Sequence, residues 1–95
     1  MSDLQKLNKL RENIDKIDDQ LFQLLIDRAE VSAEVGDVKK SIEKEIFDRE
    51  RESVIFKKLQ QKCQEYNIDC EYVKNIWSII LNKSHEIQIH GNKIL

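Results

Sequence analysis

One run of heptad-spaced apolar residues near the N-terminus restricts what this chain can fold into. Between Leu4 and Lys40, the residues Leu7, Leu10, Ile14, Ile17, Leu21, Leu24, Val31, Val35 and Val38 follow alternating steps of three and four, apart from one gap. That spacing predicts a single helix with one apolar stripe. At ~1.5 Å per residue the helix has about ten turns and a length of about 55 Å, more than a domain of this size is wide. The rest of the chain is too short to cover such a rod, so the stripe is expected to meet a second copy in an intertwined dimer. The gap between Leu24 and Val31 is filled by Arg28. A guanidinium on a buried stripe needs a partner, because an unpaired buried charge costs several kcal/mol or more.

Composition narrows the class further. The 95 residues include no proline, two glycines and 36% charged residues, which favours long helices over a multi-turn β fold. An all-α domain covering residues 1–95 is expected, with three helices, one long, one short and one medium. The net charge of −2 comes from interspersed acids and bases, so no basic field points to nucleic acid or an anionic membrane surface. Cys63 and Cys70 lack a second pair to complete a zinc site and read as free thiols in a reducing compartment. Neither a signal-peptide pattern nor a run approaching ~20 apolar residues occurs, so a soluble, cytoplasmic protein is expected.

Along the chain, Ser2 and Gln5 have capping-box spacing and start helix 1. Gly36 lies in that helix at a propensity cost of about 1 kcal/mol, which implies close approach of another backbone or a ligand. Residues 42–47 read as a connection. Asp48 then caps a second helix from Arg49 to about Tyr66, with Ile55, Leu59 and Cys63 on its apolar side and Val54 and Phe56 flanking them. Asn67 stops helix 2 and Asp69 caps helix 3, about Cys70 to His90, with Val73, Ile76, Trp77, Ile80 and Ile87 as its apolar stripe. Gly91 releases helix 3, and residues 91–95 read as a frayed end or the start of a linker.

Several polar residues share these stripes. Arg28 and Lys39, eleven residues apart, differ by only about 20° around the helix, so both can look into one cavity. Arg11 lies roughly 25 Å from Arg28 along the rod. It can join a small-ligand site only from a second copy. Ser84 and Gln88 form an i, i+4 pair that continues the helix 3 stripe. Asp48, Arg51 and Glu52 gather at the start of helix 2, where backbone N–H groups are free. Taken singly, Arg11, Lys39, Asp48, Arg51 and Glu52 each read as solvated surface charges, Ser84 as a small residue at a helix crossing and Gln88 as the point where helix 3 leaves the core. Taken together they suit a small dianion bearing a hydroxyl, since guanidinium pairs bidentately with carboxylate. His85 and His90, five apart, miss the spacing of a helical metal pair, and there is no catalytic nucleophile arrangement.

The run LRENIDKIDDQLFQLLIDRAEVSAEVGDVKK, the segment Phe47-Asp48-Arg49-Glu50-Arg51-Glu52-Ser53-Val54 and the late Ser84 and Gln88 resemble the all-α class of chorismate mutases. The likeness covers about residues 4–90, through L-R-x-x-I-D-x-I-D, L-x-x-R, V-G-x-x-K and D-x-x-R-E. Where family members often have proline before helix 2, this chain has Glu45 and Ile46. The resemblance implies a homodimer with two active sites that converts chorismate to prephenate, in the shikimate pathway to phenylalanine and tyrosine, without cofactor or metal. It implies that Arg11 reaches the substrate from the other subunit and that Arg28 holds a carboxylate within its own. Lys39 and Gln88 would bond the ether oxygen, Ser84 and Arg51 would surround a carboxylate, and Asp48 and Glu52 would meet the ring hydroxyl region. Two readings compete with it: an isochorismate pyruvate lyase of similar fold, and a non-catalytic regulatory helical dimer in which Arg28 sets register.

Overall fold

A computed structural model describes residues 1–91 of the chain; the possible linker or frayed end over residues 92–95 lies outside the described residues. Three helices follow in order, α1 (Asp3–Ser41), α2 (Arg49–Tyr66) and α3 (Cys70–His90), and the described residues contain no strand. The expected all-α, three-helix architecture is found, with helix ends within about a residue of those read from the sequence.

The local chemistry accounts for these ends. Gln5 N donates to Ser2 Oγ at 3.2 Å and Ser2 N donates to Gln5 Oε1 at 2.8 Å, a complete capping box. Asp48 accepts from Arg51 N at 3.0 Å and Asp69 accepts from Glu71 N at 3.1 Å, capping α2 and α3. Asn67 takes the left-handed conformation (φ 53°, ψ 49°), and Ile68 N then reaches back to Cys63 O at 2.9 Å. α1 ends by the same device, which the sequence does not advertise. Glu43 has φ 56°, and Lys44 N donates to Lys39 O at 2.8 Å. A glutamate is uncommon there, and the glycine or asparagine that usually marks such a turn is missing.

α3 packs against both α1 and α2, whereas α1 and α2 make no close backbone approach to each other. Ser32 lies opposite Ser84, and Gly36 opposite Gln88, so α1 and α3 run in the same sense. The buried apolar residues are few: Ala29, Leu59, Cys63, Leu81 and Ile87, joined by Ser32, Ser84 and Gly36. The sequence reading of the α3 stripe is corrected here, while the exposed α1 stripe contradicts nothing expected of it. α1 meets its own chain through the small residues Ala29, Ser32 and Gly36, which carry no hydrophobic signal, while the large stripe from Leu7 to Leu24 stays between 42% and 63% exposed. On α3, Leu81 is buried and Ile76 is exposed, because the inward face drifts from Trp77 through Leu81 and Ser84 to Ile87. On α2, Leu59 and Cys63 are buried and Ile55 is half-buried as expected, with Val54 exposed.

The molecule extends 61 × 32 × 14 Å. The long dimension is α1 itself, whose N-terminal half is exposed and projects beyond the other described helices. None of the described helices is long and apolar enough to cross a membrane.

At Gly36, α1 and α3 meet closely. A Cβ added there would lie 2.5 Å from the backbone O of Gln88 and 2.7 Å from its Cα. In an exposed helix, Gly→Ala gains up to about 1 kcal/mol from propensity. Here the clash is with backbone, which cannot rotate away, and overpacking of this kind costs about 1–3 kcal/mol. Gly36→Ala should therefore lower the unfolding free energy measured by urea denaturation; an increase would mean that α3 does not sit this close.

Candidate active site

α1, α2 and α3 enclose a cavity of about 330 Å³. α1 lines it with Arg28, Val31, Ser32, Val35 and Lys39, a stripe at steps of three and four. α3 contributes Leu81, Ser84, His85 and Gln88 at the same periodicity, and the other wall comes from Ile46, Asp48, Arg51, Glu52 and Ile55. Seven of the eight residues singled out from the sequence thus line one cavity. The eighth, Arg11, is exposed on the projecting half of α1 and outside it.

Arg28 and Lys39 reach this common space because each leans toward the middle of the contact between α1 and α3. Arg28 lies one turn before Ser32, and its Nη1 donates to Ser84 Oγ, which in turn lies 3.3 Å from Ser32 Oγ. Lys39 lies just beyond Gly36, and its Nζ donates to Gln88 Oε1 at 2.8 Å and to Ile46 O at 2.6 Å. An ammonium has three donors, so one remains for a ligand. Gln88 accepts through its oxygen, which leaves its NH2 as the donor end. Arg28 therefore has a partner within the chain, but a neutral hydroxyl rather than a carboxylate.

The charges do not balance. Arg28, Lys39 and Arg51 share the cavity with Asp48 and Glu52. Burial, followed by the nearby charge of Arg51, lowers the pKa of Arg28; both effects disfavour a cation, and an anion between the two guanidiniums would relieve them. Asp48 is held below the usual carboxylate range, chiefly by the Arg51 backbone N–H, against an opposing effect of burial and with help from Lys44 and Lys39. Its second carboxylate oxygen lies 3.8 Å from Lys44 Nζ. Glu52 Oε1 pairs with His85 Nε2 at 3.1 Å, and the His85 ring stands edge-on to Phe47 with centroids 5.1 Å apart.

Ser32 and His85 escaped the sequence reading as site residues. Ser32 had a usable signal, since it falls between Arg28 and Lys39 on the same helical stripe. His85 had none, because its partner Glu52 comes from another helix.

A cleft of this kind, walled by three helices and carrying more guanidinium and ammonium than carboxylate, is chemically suited to a small polar anion. The model of the family described as chorismate mutase type II matches residues 10–89, and the chain belongs to that family. The chorismate mutase of Methanocaldococcus jannaschii is 28% identical over 85 residues, spanning 90% of this chain and 86% of that protein. The bifunctional chorismate mutase/prephenate dehydratase of Escherichia coli K12 is 30% identical over 90 residues, covering 90% of this chain but 23% of its own length. A T-protein of Enterobacter agglomerans is 28% identical over 80 residues, 84% of this chain and 21% of that protein.

Since the folded-state pKa of Asp48 is lowered, its stabilising effect is present above the ordinary aspartate value of about 3.9 and is lost as pH falls through the lower folded value. Asp48→Ala should therefore reduce the melting temperature most at neutral pH, with the gap to wild type narrowing toward pH 2.5. A gap that widens on acidification would contradict the assignment of the cap.

Proposed function

We propose that this chain is a single chorismate mutase domain that rearranges chorismate to prephenate in aromatic amino acid biosynthesis, acting as a homodimer. The observation that carries the reading is the convergence of Arg28, Lys39, Arg51 and Gln88 on one cavity, in a chain of the chorismate mutase type II family.

The reaction is an intramolecular Claisen rearrangement, in which the ether C–O bond breaks as a C–C bond forms. No proton transfer and no nucleophile are required. The site then has two tasks. Arg28 and Arg51, with Ser84, grip carboxylates and hold the compact conformer in which the reacting carbons approach. Lys39 and the Gln88 amide donate to the ether oxygen, where negative charge grows in the transition state. Both donors are already fixed by their mutual 2.8 Å bond, so little reorganisation is needed at the moment of reaction. Gln88 suits this role because an amide donates at every pH, unlike a carboxyl group. Glu52 and Asp48 accept from the ring hydroxyl region.

A dimer supplies what a single chain lacks. The apolar stripe from Leu7 to Leu24 is exposed, and each half-exposed aliphatic side chain covered by a second copy contributes about 1 kcal/mol. Pairing of two α1 helices would also bring the partner's copy of the Arg11 position to the cavity, completing a clamp for two carboxylates.

Assays with chorismate and with isochorismate, identifying prephenate or salicylate, test the reading directly; prephenate from chorismate is expected, and salicylate alone would instead favour a pyruvate lyase. Lys39→Ala and Gln88→Ala should each lower kcat about 10²–10³-fold, the usual effect of losing one such donor, with the far-ultraviolet spectrum unchanged. Near wild-type turnover in either variant would exclude the mechanism.

Size exclusion should give about twice the 11.3 kDa chain mass. Mixing inactive Arg11→Ala and Arg28→Ala chains should restore partial activity, because the heterodimer has one intact site. No recovery after subunit exchange would rule out a shared site.

A further inference from the structure

The Glu52 side chain is only 21% exposed and lines a cavity it shares with Arg28 and Arg51. A carboxylate so placed has an obvious competing fate, which is to pair with one of those guanidiniums. Such a pair would cancel the charge on which a carboxylate clamp relies. Instead its Oε1 meets His85 Nε2 at 3.1 Å, drawing the carboxylate across from α2 to α3. The imidazole is fixed in turn. It is 24% exposed and packs edge-on against Phe47, over whose ring the Arg49 guanidinium lies 5.9 Å from the centroid.

We propose that His85 is a positioning residue for the substrate, holding the Glu52 carboxylate away from the arginines and aimed at the substrate hydroxyl. This rests on the chorismate mutase reading and adds to it a residue from α3. Through Nε2–H the imidazole occupies one oxygen of Glu52, which leaves Oε2 to accept from a hydroxyl. Arg28 and Arg51 remain available for carboxylates. The charged groups that face the pair are Arg28 and Lys39 from α1, Asp48 with Lys44 from the connection, and Arg51 from α2.

A double-mutant cycle tests this on the full chain, with prephenate formation and melting temperature measured for each variant. His85→Leu and His85→Phe both remove the N–H, and the second keeps a ring against Phe47. Each should lower kcat/KM about tenfold, the typical effect of losing a hydrogen bond to a charged group, mainly through KM. His85→Gln keeps a donor and should recover most of that loss. Glu52→Gln should cost a similar factor, and the double variant His85→Leu/Glu52→Gln should be no worse than the poorer single one. Losses that multiply in the double variant, or full activity in both His85→Leu and His85→Phe, would overturn the role of His85 while leaving the enzyme assignment intact. Failure of the wild-type chain to form prephenate would overturn the assignment and this inference with it.

Discussion

The structure depends on how closely α3 lies against α1. At Gly36 there is no room for a Cβ, since the Gln88 backbone occupies that space. One turn earlier, Ser32 and Ser84 meet through their hydroxyls. Small residues at both levels let the helices come together, and the long side chains of Arg28 and Lys39, just outside these levels, fold inward onto Ser84 and Gln88. Packing and site are thus products of one contact. A bulkier residue at position 32 or 36 would separate the helices and would also move the donors that face the cavity.

Such a contact buries little apolar surface, and this shapes the rest of the molecule. The interior of the described chain is made of a few aliphatic side chains and a thiol, modest for a chain of this length. Many of the exposed large hydrophobic residues lie on the N-terminal half of α1. Polar bonds across the cavity contribute about 1 kcal/mol each and set the geometry rather than supply the stability. Electrostatics act in the opposite direction to packing. Burial, and then the nearby charge of Arg51, disfavour the charge on Arg28, a tension that a bound dianion would relieve.

Much of this was legible in the sequence because it rests on local signals. The capping box at Ser2, the caps at Asp48 and Asp69, and the left-handed Asn67 each depend on residues a few positions apart. Arg28 stood out as a cation on an apolar stripe, and Lys39 followed from the helical period. Other features depended on tertiary pairing and were not visible. The heptad pattern drew attention to leucines, but the face α1 turns toward α3 is built from Ala29, Ser32 and Gly36, where closeness matters more than hydrophobicity. The same drift of the buried face put Leu81 inside and Ile76 outside. The Glu52 and His85 pair joins two helices, so no spacing within either could announce it.

The central claim is that the contact between α1 and α3 creates a cationic pocket fitted to a compact dianion. Isothermal titration calorimetry of the purified chain with a rigid bicyclic ether dicarboxylate, shaped like the rearranging substrate, measures this most directly, with the corresponding monoester as control. Saturable binding with one molecule per chain, weakened by salt and at least tenfold weaker for the monoester, is the result this account predicts. Equal affinity for diacid and monoester, or no binding of either, would contradict it.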